Sequence, residues 1–200
     1  MKGLWVAILA GGKGERIGGG KPWRRVGGRR LIDIAIDTAK AISPKVAVIT
    51  CDVAALAELP VRLVADRCPG QGPLAAVATA LADLPAQQLL IMPVDAPFVP
   101  HGVLEALVKA YPEAKAVALQ GPRGPEPLLA RYSRQALGPA LNLLAKGERR
   151  LRILLKVLKA PLVSYEQLKR LDPQGLTLVN LNFPEDLARA EHLASQLWPK

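Results

Sequence analysis

The sequence holds few of the residues from which a zinc site, a disulfide framework or a membrane span is built. It has two histidines and two cysteines, Cys51 and Cys68, with no CxxC spacing and no histidine beside either cysteine. A structural zinc site normally needs a Cys/His tetrad, which these residues could hardly assemble. No apolar run approaches the roughly 18 residues of a membrane helix. What remains is typical of a globular protein, with 50% hydrophobic and 22% charged residues.

Acidic and aromatic residues are also scarce. There are 17 acidic against 27 basic side chains, so the net charge is +10, and such a chain is expected to bind an anionic partner. Aromatic residues make up 4% and are not interleaved with the basic ones, as they are in proteins that stack nucleic-acid bases. We therefore expect small phosphorylated ligands, and neither nucleic acid nor a membrane, as partners.

Apolar segments of strand length alternate with segments of helical periodicity. The first, Leu4–Ala10, is short and continues into a charged glycine loop, which favours a strand over a signal peptide and predicts a cytoplasmic protein. The alternation predicts an α/β fold: one domain, residues 1–200, with a mostly parallel sheet in a Rossmann-like three-layer sandwich and helices on both faces. Strands are predicted at Trp5–Ala10, Val46–Thr50, Val61–Val64, Leu89–Val94, Ala114–Leu119, Leu128–Tyr132 and Leu176–Asn180, and helices at Leu31–Ile42, Pro73–Leu84, His101–Tyr111, Gln135–Lys146, Arg149–Lys159 and Pro184–Leu197.

Ligands of such sheets bind beyond the carboxyl ends of the strands. The loops that follow Ala10, Val64, Val94 and Asn180 should therefore gather at one edge of the sheet. This edge is where the sequence predicts the functional site.

The loop after the first strand is rich in glycine and reads LAGGKGERIGGGKP over residues 9–22. It fails the dinucleotide pattern GxGxxG because Ile17 stands at the third glycine. It fails the Walker pattern GxxxxGK[ST] because Glu15 and Pro22 stand at required positions. Glycines nevertheless let backbone N–H groups approach phosphates, and nearby cations neutralise their charge. The alternative is a solvated turn; we predict a triphosphate cradle of Gly11, Gly12 and Gly14, with Arg16 and Lys21 as the cations.

Six segments between Leu9 and about Ala190 resemble the cytidylyltransferase-like nucleotidyltransferases, and most of all the molybdenum cofactor guanylyltransferases. The resemblance implies a GTP-dependent enzyme that transfers GMP to the phosphate of molybdenum-molybdopterin, releases pyrophosphate and uses Mg²⁺. Cofactor-insertion proteins or target molybdoenzymes are implied as further partners. The segments are LAGGKGER with Lys21, DRCPGQGPL (66–74), VDAP (94–97), PEPLLARY (125–132), GERR (147–150) and NLNFPED (180–186).

The resemblance implies that Asp66 and the following G-P-L turn bind guanine. A carboxylate can accept hydrogen bonds from both N1–H and the amino group of guanine, an edge that cytosine lacks. Taken alone, Asp66 could equally be a turn former. In one respect the turn departs from the family, because Ala76 stands where a glycine is usual. The implied nucleotide-binding set is Leu9, Ala10, Gly11, Gly12, Gly14, Lys21, Asp66, Gly72, Pro73, Leu74 and Asp95.

Asp95 directly follows a buried strand, and the resemblance implies that it binds Mg²⁺ between the nucleotide phosphates. Carboxylate oxygens suit this hard cation, which retains several waters. A cap for the following turn is the alternative role. The catalytic residues implied are Lys21, Arg16 and Asp95.

The acceptor-binding residues implied are Arg149, Asn180 and Asn182. Arg149, in the G-x-R position, could hold a phosphate by a two-pronged contact, or could simply begin a solvated basic helix. Alternation places both asparagine side chains on one face of an extended segment. The family commonly has histidine or glutamine where this sequence has Glu126.

Two other classes of function stay open. One is a different enzyme of this fold, a cytidylyltransferase of the same pathway or a sugar-phosphate nucleotidyltransferase. The other is a non-catalytic nucleotide-binding or nucleic-acid-binding module, which the net charge of +10 suggests, although the presence of both Lys21 and Asp95 argues against it.

Overall fold

The computed structural model describes residues 3–11 and 20–198, and seven of the strands in these ranges form one sheet. These strands are β1 (Leu4–Leu9), β4 (Val46–Thr50), β5 (Arg62–Ala65), β6 (Gln88–Pro93), β7 (Ala116–Gly121), β8 (Gly124–Ser133) and β9 (Leu162–Ser164), and a separate hairpin is formed by β2 (Arg25–Val26) and β3 (Arg29–Arg30). The order in the sheet is β5-β4-β1-β6-β8-β7-β9. Neighbouring strands are parallel except for β8, which is antiparallel to β6 and β7. The mostly parallel sheet confirms the predicted fold class.

Helices cover both faces of the sheet, as predicted. Side chains of β1 alternate between two cores: Val6 and Ile8 pack into one, Ala7 and Leu9 into the other. The first core is closed by α1 (Leu31–Ile42), α3 (His101–Lys109), α6 (Tyr165–Leu168) and α7 (Pro184–Leu197), and the second by α2 (Pro73–Asp83), α4 (Leu137–Ala145) and α5 (Leu151–Val157). None of the helices in the described ranges is long and apolar enough to span a membrane.

The predicted strand at Leu176–Asn180 is wrong, because Leu176–Leu178 form a turn of 3₁₀ helix. The cause is the buried Asp172, whose carboxylate accepts the backbone N–H groups of Leu176 and Thr177, each at 2.8 Å. This capping closes a tight turn in place of sheet pairing. Extended backbone resumes at Val179.

Several elements lie outside the predicted pattern. The hairpin β2–β3, the short strand β9 and the short helix α6 carry too few residues for a periodic signal. Strand β8 is longer than the predicted strand Leu128–Tyr132 and begins at Gly124. Helix α5 begins at Leu151 instead of Arg149.

The strand order reverses direction between β1 and β6, since β4 lies on one side of β1 and β6 on the other. In doubly wound sheets this switch point is where ligands bind, outside the carboxyl ends of the strands. Gly11, Asp66 and Asp95, from the loops that follow β1, β5 and β6, line one cavity there, and Asn180 lines an adjoining cavity that also includes Asp95. The predicted gathering of loops at one edge is therefore confirmed.

Candidate active site

Asp95 lies two residues beyond the end of β6, where two backbone contacts hold its loop. Val94 donates its N–H to Leu9 O at the end of β1 (3.2 Å), and Asp95 O accepts the N–H of Leu181 (2.9 Å). The carboxylate is thus fixed between the two central strands and the segment that contains Asn180 and Asn182. One of its oxygens, Oδ2, accepts a hydrogen bond from Lys21 Nζ in an ion pair.

Lys21 is positioned by a short, proline-containing turn of 3₁₀ helix, Lys21–Trp23. Trp23 packs against the first core and lies under the Arg30 guanidinium, 4.9 Å from the ring centre. The side chains of Lys21 and Asp95 are 20% and 16% exposed, so the pair faces open space that a ligand can enter. A phosphate or a metal ion arriving there meets both charges at once.

A cavity of about 380 Å³ lies against this pair on the side of β4, β5 and α2. It brings together seven of the predicted nucleotide-binding residues. Ala10 and Leu74 belong to the predicted set, but their side chains are buried and do not line it. The predicted residues Gly12, Gly14 and Arg16 lie outside the described residues. The cavity is lined by Leu9, Gly11, Lys21, Cys51, Asp66, Gly70, Gly72, Pro73, Ala76, Pro93, Val94, Asp95 and Leu128.

Asp66 follows β5, and its backbone N–H donates to Thr50 O on the neighbouring strand (2.7 Å). Its Oδ1 accepts from the backbone N–H of Cys68 (3.1 Å) and from Thr79 Oγ1 on α2 (3.4 Å). The residue is therefore a turn former, one of the two roles considered. Within the described ranges no hydrogen bond reaches Oδ2, so one oxygen remains for a ligand in the cavity.

The turn that begins α2 requires glycine at position 72. Gly72 has φ +80°, and a Cβ atom there would lie 3.3 Å from Arg149 O. A side chain would therefore meet both backbone strain and a carbonyl that cannot move freely. The turn brings the start of α2, with its free N–H groups, to the cavity wall.

A second cavity, of about 550 Å³, opens on the other side of Asp95. Asn180 and Asn182 both line it, on either side of the buried Leu181, as the predicted alternation requires. It shares Pro73, Pro93, Asp95 and Leu128 with the first cavity, so the two meet at Asp95. Its lining residues are Pro73, Pro93, Asp95, Glu126, Pro127, Leu128, Leu129, Arg150, Leu151, Arg152, Ile153, Lys156, Asn180 and Asn182.

A bulge in β8 forms one wall of the second cavity. The register shifts between Ala118, which pairs with Ala130, and Leu119, which pairs with Glu126, so residues 127–129 have no opposite partner. Bulges often occur beside active sites, where they redirect side chains. The buried Tyr132 donates its hydroxyl to Pro127 O (2.8 Å), and burial raises the pKa of this phenol well above its usual range. Tyr132 therefore remains a neutral donor that holds the bulge.

The family model of the MobA-like NTP transferase domain matches residues 6–190. This chain belongs to that family. It is 33% identical over 194 residues to a probable molybdenum cofactor guanylyltransferase of Chloroflexus aggregans, covering 90% of this chain and 89% of that protein. It is 32% identical to a protein of the same description from Methanothermobacter thermautotrophicus, covering 91% and 96% of the two chains.

A solved structure supports the same assignment. The crystal structure of molybdopterin-guanine dinucleotide biosynthesis protein A from Archaeoglobus fulgidus superimposes with a TM-score of 0.86 at 28% identity, covering 96% of this chain and all of that one. The resemblance inferred from the six motifs is thereby confirmed, and the chain is a nucleotidyltransferase of the MobA-like family.

In this MobA-like transferase, Arg149 does not line the second cavity, which we call the acceptor-side cavity because Asn180 and Asn182, predicted to bind the acceptor, line it. Its guanidinium donates to Leu144 O (3.1 Å) and Glu148 O (3.0 Å), at the end of α4. The backbone of Arg149 instead packs against Gly72 in the nucleotide-side turn. Arg149 thus joins α4 to that turn, and its contact with the acceptor stays a prediction.

Three cations outside the predicted acceptor-binding set, Arg150, Arg152 and Lys156, line the cavity instead. Arg152 and Lys156 are one helical turn apart and so share a face of α5. Leu151, Leu154 and Leu155 of the same helix are buried. This amphipathic pattern is visible in the sequence, but it does not show that the basic face of the helix lines a cavity.

Glu148 organises the loop that precedes α5. Its carboxylate accepts from the side chain of Arg150 (2.7 and 2.9 Å) and from the backbone N–H groups of Arg149 and Arg150 (2.9 Å each). These hydrogen bonds lower the pKa of Glu148 to about 2, with the Arg150 side chain as the largest cause. The carboxylate thus fixes the loop ahead of α5 and pairs with Arg150, whereas Arg152 and Lys156 have no ion-pair partner among the described residues.

Proposed function

We propose that this protein is a molybdenum cofactor guanylyltransferase, which transfers GMP from GTP to the terminal phosphate of molybdenum-molybdopterin and releases pyrophosphate. The observation that carries the proposal is the meeting of two cavities at the Lys21–Asp95 pair. One cavity presents a carboxylate oxygen suited to guanine, and the other presents cations and amides suited to a phosphorylated acceptor. The descriptions of the relatives from Chloroflexus and Methanothermobacter name the same activity.

The reaction we propose forms one bond and breaks one. An oxygen of the acceptor phosphate attacks the α-phosphorus of GTP, and the bond to the β-phosphate oxygen breaks as pyrophosphate leaves. This nucleophile is already ionised at neutral pH, so no general base is needed. Catalysis then consists of positioning and charge neutralisation. Lys21, at the junction of the cavities, would stabilise charge that develops on the phosphate oxygens.

Mg²⁺ is the cofactor we propose, with Asp95 as its protein ligand. Mg²⁺ is commonly bound by one or two carboxylates together with substrate phosphates and waters. The site fits this chemistry, because Asp95 stands at the junction of the cavities with the amides of Asn180 and Asn182 lining the same space. Its Oδ2 forms an ion pair with the Lys21 ammonium, so a cation can be accommodated beside this oxygen. When bound, the ion would supply positive charge to the transferring phosphate.

Selection of guanine is assigned to Asp66, which a change of nucleotide can test. Inosine triphosphate lacks the 2-amino donor of GTP, so the wild-type protein should bind it about 10- to 100-fold more weakly than GTP, the usual effect of losing a hydrogen bond to a charged group. Asp66→Asn should weaken GTP by a similar factor and remove most of the preference over inosine triphosphate. Isothermal titration with both nucleotides measures all four dissociation constants.

Thr79→Val provides a matched control, because it removes a partner of Oδ1 and leaves Oδ2 in place. A preference for GTP that survives Asp66→Asn would move base selection to another residue. A preference of the wild type for CTP would instead favour a cytidylyltransferase.

A further inference from the structure

Glu126 stands in β8 directly before the bulge, opposite Leu119 on β7. Its side chain occupies space that Gly121 leaves free, since a Cβ atom on Gly121 would lie 3.2 Å from Glu126 Oε1 and 3.3 Å from its Cγ. Leu178 bounds the same space, 3.5 Å from that Cβ position. The carboxylate is therefore seated by the fold in the wall of the acceptor-side cavity.

The carboxylate of Glu126 has no hydrogen-bond or ion-pair partner among the residues that the structure describes. Three cations line the same cavity, yet none forms an ion pair with it. Arg150 is paired with Glu148 instead. Arg152 lies near the first residue of β8, with Nη1 3.8 Å from the position of a Cβ on Gly124. The half-buried carboxylate of Glu126 thus faces the cavity with two oxygens that can accept hydrogen bonds, and no described residue donates to either oxygen.

Resting on the proposed function, we propose that Glu126 binds the 2-amino-4-oxopyrimidine edge of the pterin acceptor. This edge carries a ring N–H and an amino group side by side, the same paired donors that guanine presents. A carboxylate accepts two parallel N–H groups with its two oxygens. Glu126 would then recognise the ring of the acceptor as we propose that Asp66 recognises the base of the nucleotide, with one carboxylate in each cavity and the phosphates between them at Asp95.

The other chemistries that reach this cavity fit Glu126 less well. A phosphate would be repelled by the carboxylate, whereas Arg152 and Lys156 in the same wall attract it. A second divalent cation would need further ligands, and the described part of the chain contains no group of three His, Cys, Asp or Glu side chains that could hold one. An uncharged ring edge with two donors satisfies Glu126 without either difficulty.

The test uses two ring systems that differ at a single position. 6-Hydroxymethylpterin carries the 2-amino group, and 6-hydroxymethyllumazine has an oxygen there. Titration of each into the full-length protein, followed by pterin fluorescence or calorimetry, should show the wild type binding the pterin about 10- to 100-fold more tightly than the lumazine. Glu126→Gln should weaken the pterin by a similar factor and nearly abolish the discrimination. Glu113→Gln, which removes an equal charge from an exposed position, should behave as the wild type.

Binding of GTP, measured on the same variants, separates this inference from the function on which it rests. Unchanged GTP affinity in Glu126→Gln, with loss of pterin discrimination, supports the assignment. Equal affinity of the wild type for the two rings, undiminished pterin binding by Glu126→Gln, or no saturable pterin binding overturns it, while GTP binding and GMP transfer stand. Pterin binding that requires added Mn²⁺ would also overturn it, in favour of a metal-bridged site.

Discussion

Lys21→Met is expected to lower kcat for GMP transfer about 100- to 1,000-fold, the usual effect of removing one preorganised charge from a transition state, while GTP affinity changes by about threefold or less. The reason is that negative charge grows on the phosphate oxygens only as the bond to pyrophosphate breaks. Methionine keeps the length and apolar stem of lysine. Single-turnover transfer with saturating GTP and Mg²⁺, together with nucleotide titration, measures the two effects separately.

The same substitution should have an opposite effect on metal binding. Lys21 Nζ is bound to Asp95 Oδ2 in the ligand-free protein, so a divalent cation must compete with it for that carboxylate. Lys21→Met should therefore raise the affinity of the nucleotide-free protein for Mn²⁺, measured by electron paramagnetic resonance. The exposed Lys40→Met serves as the charge-matched control. Equal losses in rate and in GTP binding, with unchanged Mn²⁺ affinity, would contradict the proposed role of Lys21 in stabilising the transition state.

Asp95→Asn is expected to be the most damaging single substitution, lowering kcat/KM by about 1,000-fold or more, since it removes the charge that we propose holds the metal. The shape of the side chain is kept, and the backbone contacts of Asp95 to Leu181 are untouched. The midpoint of thermal unfolding should therefore move little. Titration of Mn²⁺ in the presence of GTP should show that the variant binds Mn²⁺ more weakly than the wild type does.

Asp37→Asn is a suitable control for Asp95→Asn, because it breaks only an exposed ion pair with Arg29, and such pairs contribute little to stability. It should leave both Mn²⁺ binding and turnover near those of the wild type. Retention of the wild-type Mn²⁺ site in Asp95→Asn would assign the metal to other ligands and leave Asp95 as a turn former.

The main architecture could be predicted from the sequence because its signals are local. Buried parallel strands are continuous apolar runs, as in β4, where all five residues are buried. Helix α1 shows the apolar spacing of an amphipathic helix. The rule that ligands bind beyond the carboxyl ends of such strands then placed Asp66 and Asp95 at one edge without any knowledge of contacts. Their chemistry could be stated, but whether each carboxylate retained a free oxygen could not.

The acceptor side was harder to predict because nonlocal contacts determine it. Asp172 converts an apparent strand into a 3₁₀ turn, and α5 begins two residues later than predicted, after a loop held by Glu148. Arg149, in that loop, contacts the end of α4, whereas Arg152 and Lys156 on α5 line the cavity. The register shift in β8 likewise depends on its pairing with β7, so no sequence pattern within PEPLLARY predicts the bulge.

The most direct test of the account is the identity of the dinucleotide formed from molybdopterin when GTP, CTP and ATP are supplied in turn with Mg²⁺. Chromatography with mass detection resolves the three products. The account predicts molybdopterin-guanine dinucleotide from GTP and at most trace product from the other two, with one pyrophosphate released per transfer. Efficient product from CTP would contradict the role of Asp66 and the guanylyltransferase assignment, and no product from any nucleotide would contradict the proposed acceptor.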